Sequence, residues 1–128
     1  MEFMTVGVIG SFGTAPGNNE LAFALRESIK QIANDAGVDL ANVTVRAYLR
    51  NLRLGTFVAQ VTKELDTHFE GIFDRFSPQR EQAQMLEAHR ILYVDDGNNE
   101  RSLADALRLG SEARKIVYVV EVARHHAA

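Results

Sequence analysis

Short apolar runs alternating with stretches of helical spacing constrain this chain more than any other feature. Thr5-Val6-Gly7-Val8-Ile9 is a compact apolar run that ends among glycines and reads as a buried first strand. After it comes Gly10-Ser11-Phe12-Gly13-Thr14-Ala15-Pro16-Gly17-Asn18-Asn19, too rich in turn formers for a regular element. Asn18 or Asn19 suits a helix cap, with Glu20 in the first turn. Leu21, Leu25, Ile29 and Ile32 then share one face of a helix that runs to about Ala36, and Gly37 stops it. Residues 42–49 alternate, with Val43, Val45 and Ala47 on one side and Thr44, Arg46 and Tyr48 on the other. The polar side suggests a second strand near a sheet edge.

The strongest periodic signal follows. Leu54, Phe57, Val58, Val61, Leu65, Phe69, Ile72, Phe73 and Phe76 recur every three or four residues and predict one long amphipathic helix, with Gly71 weakening its later part. Ser77-Pro78 starts another helix that ends near His89 and buries Met85 and Leu86. Ile91-Leu92-Tyr93-Val94 is a third strand, and Asp95-Asp96-Gly97-Asn98-Asn99 a polar loop. A helix over residues 101–113 and a β-branched strand over residues 116–122 complete the series.

The predicted order is β-α-β-α-α-β-α-β. It implies a small doubly wound α/β domain, flavodoxin- or Rossmann-like, with a parallel sheet of about four strands. Strand one takes the middle, strand two one side, and strands three and four the other. Residues 1–3 read as a cloning remnant ahead of Met4, residues 4–124 as one domain, and residues 125–128 as a frayed tail.

Composition narrows the functional classes. The chain has 128 residues, 46% apolar and 24% charged, which suits one globular domain. A net charge of −3 disfavours a general nucleic-acid binder. With no cysteine there is no disulfide, thiolate nucleophile or cysteine-held metal, and a cytoplasmic setting is expected. No apolar run reaches membrane-spanning length, and no secretory signal is visible. The four histidines, His68, His89, His125 and His126, lack metal-ligand spacing and read as structural or surface residues.

In open parallel sheets, ligands bind beyond the carboxyl ends of the strands where the winding reverses. The reversal predicted here falls between strands one and three, so the two polar loops after them face one crevice. The candidate ligand-binding residues are Gly10, Ser11, Gly13, Thr14 and Asn18 from the first loop, and Asp95, Asp96 and Asn98 from the second. Backbone N–H groups and a helix N-terminus suit a phosphate, carboxylate or sugar hydroxyl. The loop has no Gly-x-Gly-x-x-Gly or Walker pattern, and its glycines equally suit a tight turn. Asp95 and Asp96 suit Mg²⁺, a ribose or a shared proton, and equally a helix-capping turn.

The chain carries three partial resemblances to known families. Residues 88–97, then 103–110, then Lys115-Ile116-Val117, together with Gly7-Val8-Ile9-Gly10-Ser11-Phe12, resemble the nucleoside 2-deoxyribosyltransferase-like family. That resemblance implies a carboxylate acting at an N-glycosidic bond. Where the family has a nucleophilic glutamate, this chain has Asp105 or Ala106 nearby, so Asp105 or Asp96 is the candidate catalytic residue. Residues 36–43 and 45–52 resemble the imine deaminase family of chorismate-mutase-like trimers, and Phe76-Ser77-Pro78-Gln79-Arg80 resembles its arginine motif, which would give Arg80 a substrate-binding role. That family also calls for a hairpin before the first helix. Ile91-Leu92-Tyr93-Val94-Asp95-Asp96 resembles a receiver strand, but the chain ends before the aspartate and lysine a receiver needs. A rival to ligand binding is a non-enzymatic homo-oligomerisation or protein-interaction module, with the apolar stripe of residues 54–76 as its interface.

Overall fold

The computed structural model describes residues 2–10, 18–49, 52–72, 87–95, 104, 107–108 and 110–121. Among these residues, five strands form one parallel sheet in the order β3-β2-β1-β4-β5. They are β1 Met4–Gly10, β2 Val43–Leu49, β3 His68–Ile72, β4 Arg90–Asp95 and β5 Ile116–Glu121. Helix α1 spans Asn18–Ala36 and α2 spans Leu52–Glu64, and a short 3-10 turn, Leu40–Asn42, leads into β2.

Strand register sorts the side chains onto two faces. Met4, Val6 and Val8 line up with Val43, Val45 and Ala47 on one side, and Val8 lines up with Leu92 on the other. These residues form the main core with Leu25, Ile29 and Ile32 of α1 and Val58 and Val61 of α2. Both helices therefore lie on one face. The opposite face is also covered, because Ile9, Ile91 and Tyr93 are buried there. Gly110, in a helical stretch before β5, is seated against Val117 on that second face. Burial on both sides explains why β4 reads as an unbroken apolar run rather than an alternating one.

Fixed crossover handedness explains the two layers. The steps β1 to β2 and β2 to β3 move in one direction across the sheet, and the step from β3 to β4 passes back over β2 and β1. A right-handed crossover that reverses direction must use the other face.

The helix expected over residues 54–76 is a correction. Helix ends at Glu64 and β3 begins at His68. Asp66 takes the left-handed conformation with φ 56°, and the Thr67 N–H donates to the Thr62 carbonyl at 3.0 Å. Phe69 and Ile72 continue the three- and four-residue spacing from Leu65 yet belong to β3. Within β3, Phe69 packs toward the core while His68 and Glu70 are exposed, the alternation of a strand. Gly71 sits beside a register shift opposite Val45 and Arg46, where a glycine relieves a bulge. The sheet thus gains a fifth strand.

A second correction follows from the first, because β3 covers β2 and leaves it internal. Its polar side has another cause. Arg46 is ion-paired with Glu70, and its Nη1 lies 3.3 Å from the Glu87 carboxylate. The guanidinium links β2, β3 and the segment entering β4. These groups are partly exposed, so the link orients the segments more than it stabilises them. Thr5 and His89 extend the β1–β4 ladder: His89 N–H donates to the Thr5 carbonyl at 2.9 Å, and Thr5 N–H donates to His89 Nδ1 at 2.9 Å.

Three helix ends share one cap. Gly37, Asp66 and Arg114 are all left-handed, with φ 66°, 56° and 56°. In each case the next residue's N–H reaches back five positions: Val38 to Ala33, Thr67 to Thr62, and Lys115 to Gly110. This is the Schellman arrangement, and each instance turns a helix into the strand that follows.

Two glycine substitutions separate conformational from steric cost. An added Cβ at Gly37 meets nothing within 4 Å, so Gly37→Ala is expected to lose only about 1–2 kcal/mol from its positive φ. At Gly110 an added Cβ would lie 2.3 Å from Val117 Cγ2. Gly110→Ala is expected to lose about 1–3 kcal/mol through overpacking, and Val117→Ala in the same chain to recover part of it. Urea unfolding of the single and double variants checks both. The same titrations should show Asp66→Gly gaining up to about 1 kcal/mol and Asp66→Val losing about 1–2 kcal/mol.

Candidate functional site

The sheet order places the reversal of winding between β1 and β4. Gly10 ends β1, and its register partner is Val94, one residue before the end of β4 at Asp95. The glycine that opens the first polar loop and the aspartate that opens the second therefore stand side by side at the carboxyl edge. Asn18 begins α1. α1 starts at the same end of the sheet, and so does α2 at Leu52, just beyond the end of β2. Each helix N-terminus contributes a partial positive charge of about half a unit.

The remaining candidates, Ser11, Gly13, Thr14, Asp96, Asn98 and Asp105, lie outside the described residues, as does Arg80 of the second resemblance. The structure thus juxtaposes Gly10 and Asp95 and places Asn18 at the mouth of α1. It also adds a residue that the sequence reading passed over. Asp95 pairs in register with Glu121, so two acidic positions are adjacent on the carboxyl edge. Both residues follow an apolar run, four residues in β4 and five in β5, and aligning the ends of the last two strands exposes the pairing. Among the described residues, no group of three or more histidine, aspartate or glutamate side chains is placed to hold a metal ion.

Chemically, the N-termini of α1 and α2 bring helix-end donors to this edge, and Asp95 and Glu121 are two acidic positions on it. Donors of that kind suit a phosphate or carboxylate, and a carboxylate across from them suits a sugar hydroxyl. A hollow of about 310 Å³ lies at the opposite, amino end, bordered by Glu2, Phe3, Gly37, Val38, Asp39 and Asn42. The carboxyl-terminal end of α1 opens there, and its carbonyl groups disfavour an anion.

The stripe proposed as an interaction surface is divided between elements. Val58 and Val61 are fully buried, and Phe57, Leu65 and Phe69 pack against the same core. Its described part is core rather than exposed surface. Phe73 and Phe76 lie outside the described residues. No helix among the described residues is long and apolar enough to cross a membrane.

Compared with known protein families, curated proteins and solved structures, the chain matches none.

Proposed function

We propose that this chain is a small-molecule-binding domain for a nucleotide- or nucleoside-class ligand, held in the crevice above β1 and β4. The observation that supports the reading is the reversal of winding between these strands, with Gly10 and Asp95 adjacent at their carboxyl ends. The first polar loop and the start of α1 receive the phosphate or the sugar edge. The loop from Asp95 through Asp96 and Asn98 receives the ribose, with Mg²⁺ at Asp95 and Asp96 as an optional third component. The resemblance to nucleoside 2-deoxyribosyltransferase-like proteins extends this to hydrolysis or transfer at an N-glycosidic bond. Asp96 or Asp105 would then supply the carboxylate that attacks or stabilises the sugar carbon. A cytoplasmic setting fits such a ligand.

The imine-deaminase-like reading has less support, because β1 leads directly to α1 and no hairpin precedes α1 among the described residues. The purely non-enzymatic reading has less support from the described part of the surface first proposed for it, since Phe57, Val58, Val61, Leu65 and Phe69 pack into the core.

Thermal melts of the chain against nucleotides, nucleosides, sugar phosphates and divalent cations test the binding reading. A ligand present at 100 times its dissociation constant is expected to add about 2.7 kcal/mol to stability. Asp96→Asn is expected to remove that gain while leaving the unliganded melt unchanged. A panel with no shift would refute the reading. For the catalytic extension, release of free base from a nucleoside should be lost in Asp96→Asn or in Asp105→Asn. Activity unchanged in both variants would refute catalysis and leave binding standing.

A further inference from the structure

The two edges of the sheet are built differently. The outer strand β3 has five residues, carries a register shift, and exposes His68 and Glu70. Short length, a bulge and charge are the usual means of keeping a sheet edge from pairing with another chain. The other outer strand, β5, has no bulge, and its one charged residue, Glu121, stands at its end. It holds unbroken register with β4 across six residues, and five in succession are apolar, Ile116-Val117-Tyr118-Val119-Val120. Such a run belongs in a sheet interior. Yet Ile116 is 51% exposed and Val119 41% exposed, one on each face. Leu107, one turn before the Gly110 that seats on Val117, is exposed as well. Among the described residues nothing pairs with the outer side of β5.

We infer that β5 is the contact strand of a symmetric homodimer, paired antiparallel with β5 of a second copy to give one continuous ten-stranded sheet. The occupant is identified by self-complementarity. A two-fold axis that relates antiparallel edge strands runs normal to the sheet, so one residue must stand opposite its own copy. Only shifts of two positions are then allowed. With Tyr118 on the axis, Ile116 faces the partner's Val120, Val117 faces the partner's Val119, and Lys115 faces the partner's Glu121. Apolar pairs fill the centre, and opposite charges close both ends. A shift of two positions either way sets Glu121 opposite Val117 or Ala113, and the charge match is lost. The interface shares only Glu121 with the carboxyl edge described above, and it holds whether or not that edge binds a ligand.

Sedimentation of the full chain across a wide concentration range tests the inference. The unmodified chain should sediment as a dimer. Val119→Lys and, separately, Lys115→Glu should each raise the dimer dissociation constant about tenfold, because each change enters the symmetric contact twice. Lys115→Glu combined with Glu121→Lys should restore it, since the swap rebuilds the charge pairs in reverse. Far-UV circular dichroism of each variant reports folding, and the Lys115 variants serve if Val119→Lys does not fold. The inference is overturned by a monomer at every concentration. It is equally overturned by a dimer that neither substitution weakens, or by a charge swap that fails to restore pairing.

Discussion

Right-handed connection between parallel strands is the constraint on which the rest of this molecule depends. It puts α1 and α2 on the same face of the sheet, because β1, β2 and β3 advance in one direction. A step that reverses direction, as from β3 to β4, uses the other face, and Ile9, Ile91 and Tyr93 are buried there. The winding therefore reverses between β1 and β4, the place where open parallel sheets take ligands. Neither strand is selected for that place by its own residues.

Burial follows from the same rule. A strand covered on both sides cannot alternate between apolar and polar residues, and β4 is apolar at four successive positions. β2 departs from this pattern through Arg46, whose charge is met by Glu70 and Glu87 from two neighbouring segments. A partly exposed guanidinium with two carboxylates contributes little net stability. Its consequence is geometric, since it holds β3 and the approach to β4 at the same place on β2.

The sequence carried the fold class, the order of β1, β2, β4 and β5, and the place where the winding reverses. It failed at residues 65–72, for a definable physical reason. Helix stops were read from glycine, and Gly37 was found that way. The next stop uses the same backbone geometry with Asp66 in the left-handed position, and Arg114 does so a third time. A short polar residue such as aspartate tolerates that conformation without announcing it in a pattern. Once the stop was missed, phenylalanines at three- and four-residue intervals extended the helical pattern into a strand. The polar face of β2 was then assigned to an edge, because the strand that covers it had been absorbed into a helix. For the candidate site, Gly10 and Asp95 were legible because sheet topology alone places them, whereas Glu121 required the β4–β5 register.

The two ends of the sheet offer different chemistry, and this decides between the crevice and the hollow at the amino end. Parallel strands with right-handed crossovers point every helix N-terminus toward the carboxyl edge and every helix C-terminus toward the amino edge. Positive partial charge therefore gathers where β1 and β4 end, and carbonyl oxygen where Gly37, Val38 and Asp39 border the hollow. At the carboxyl edge the donors stand across from acidic positions, Asp95 and Glu121, contributed by adjacent strands. The hollow at the amino end is bordered by Asp39, Asn42 and the exposed Phe3. The direction of the chain therefore gives the carboxyl edge, and not the amino end, the partial charge that suits an anion.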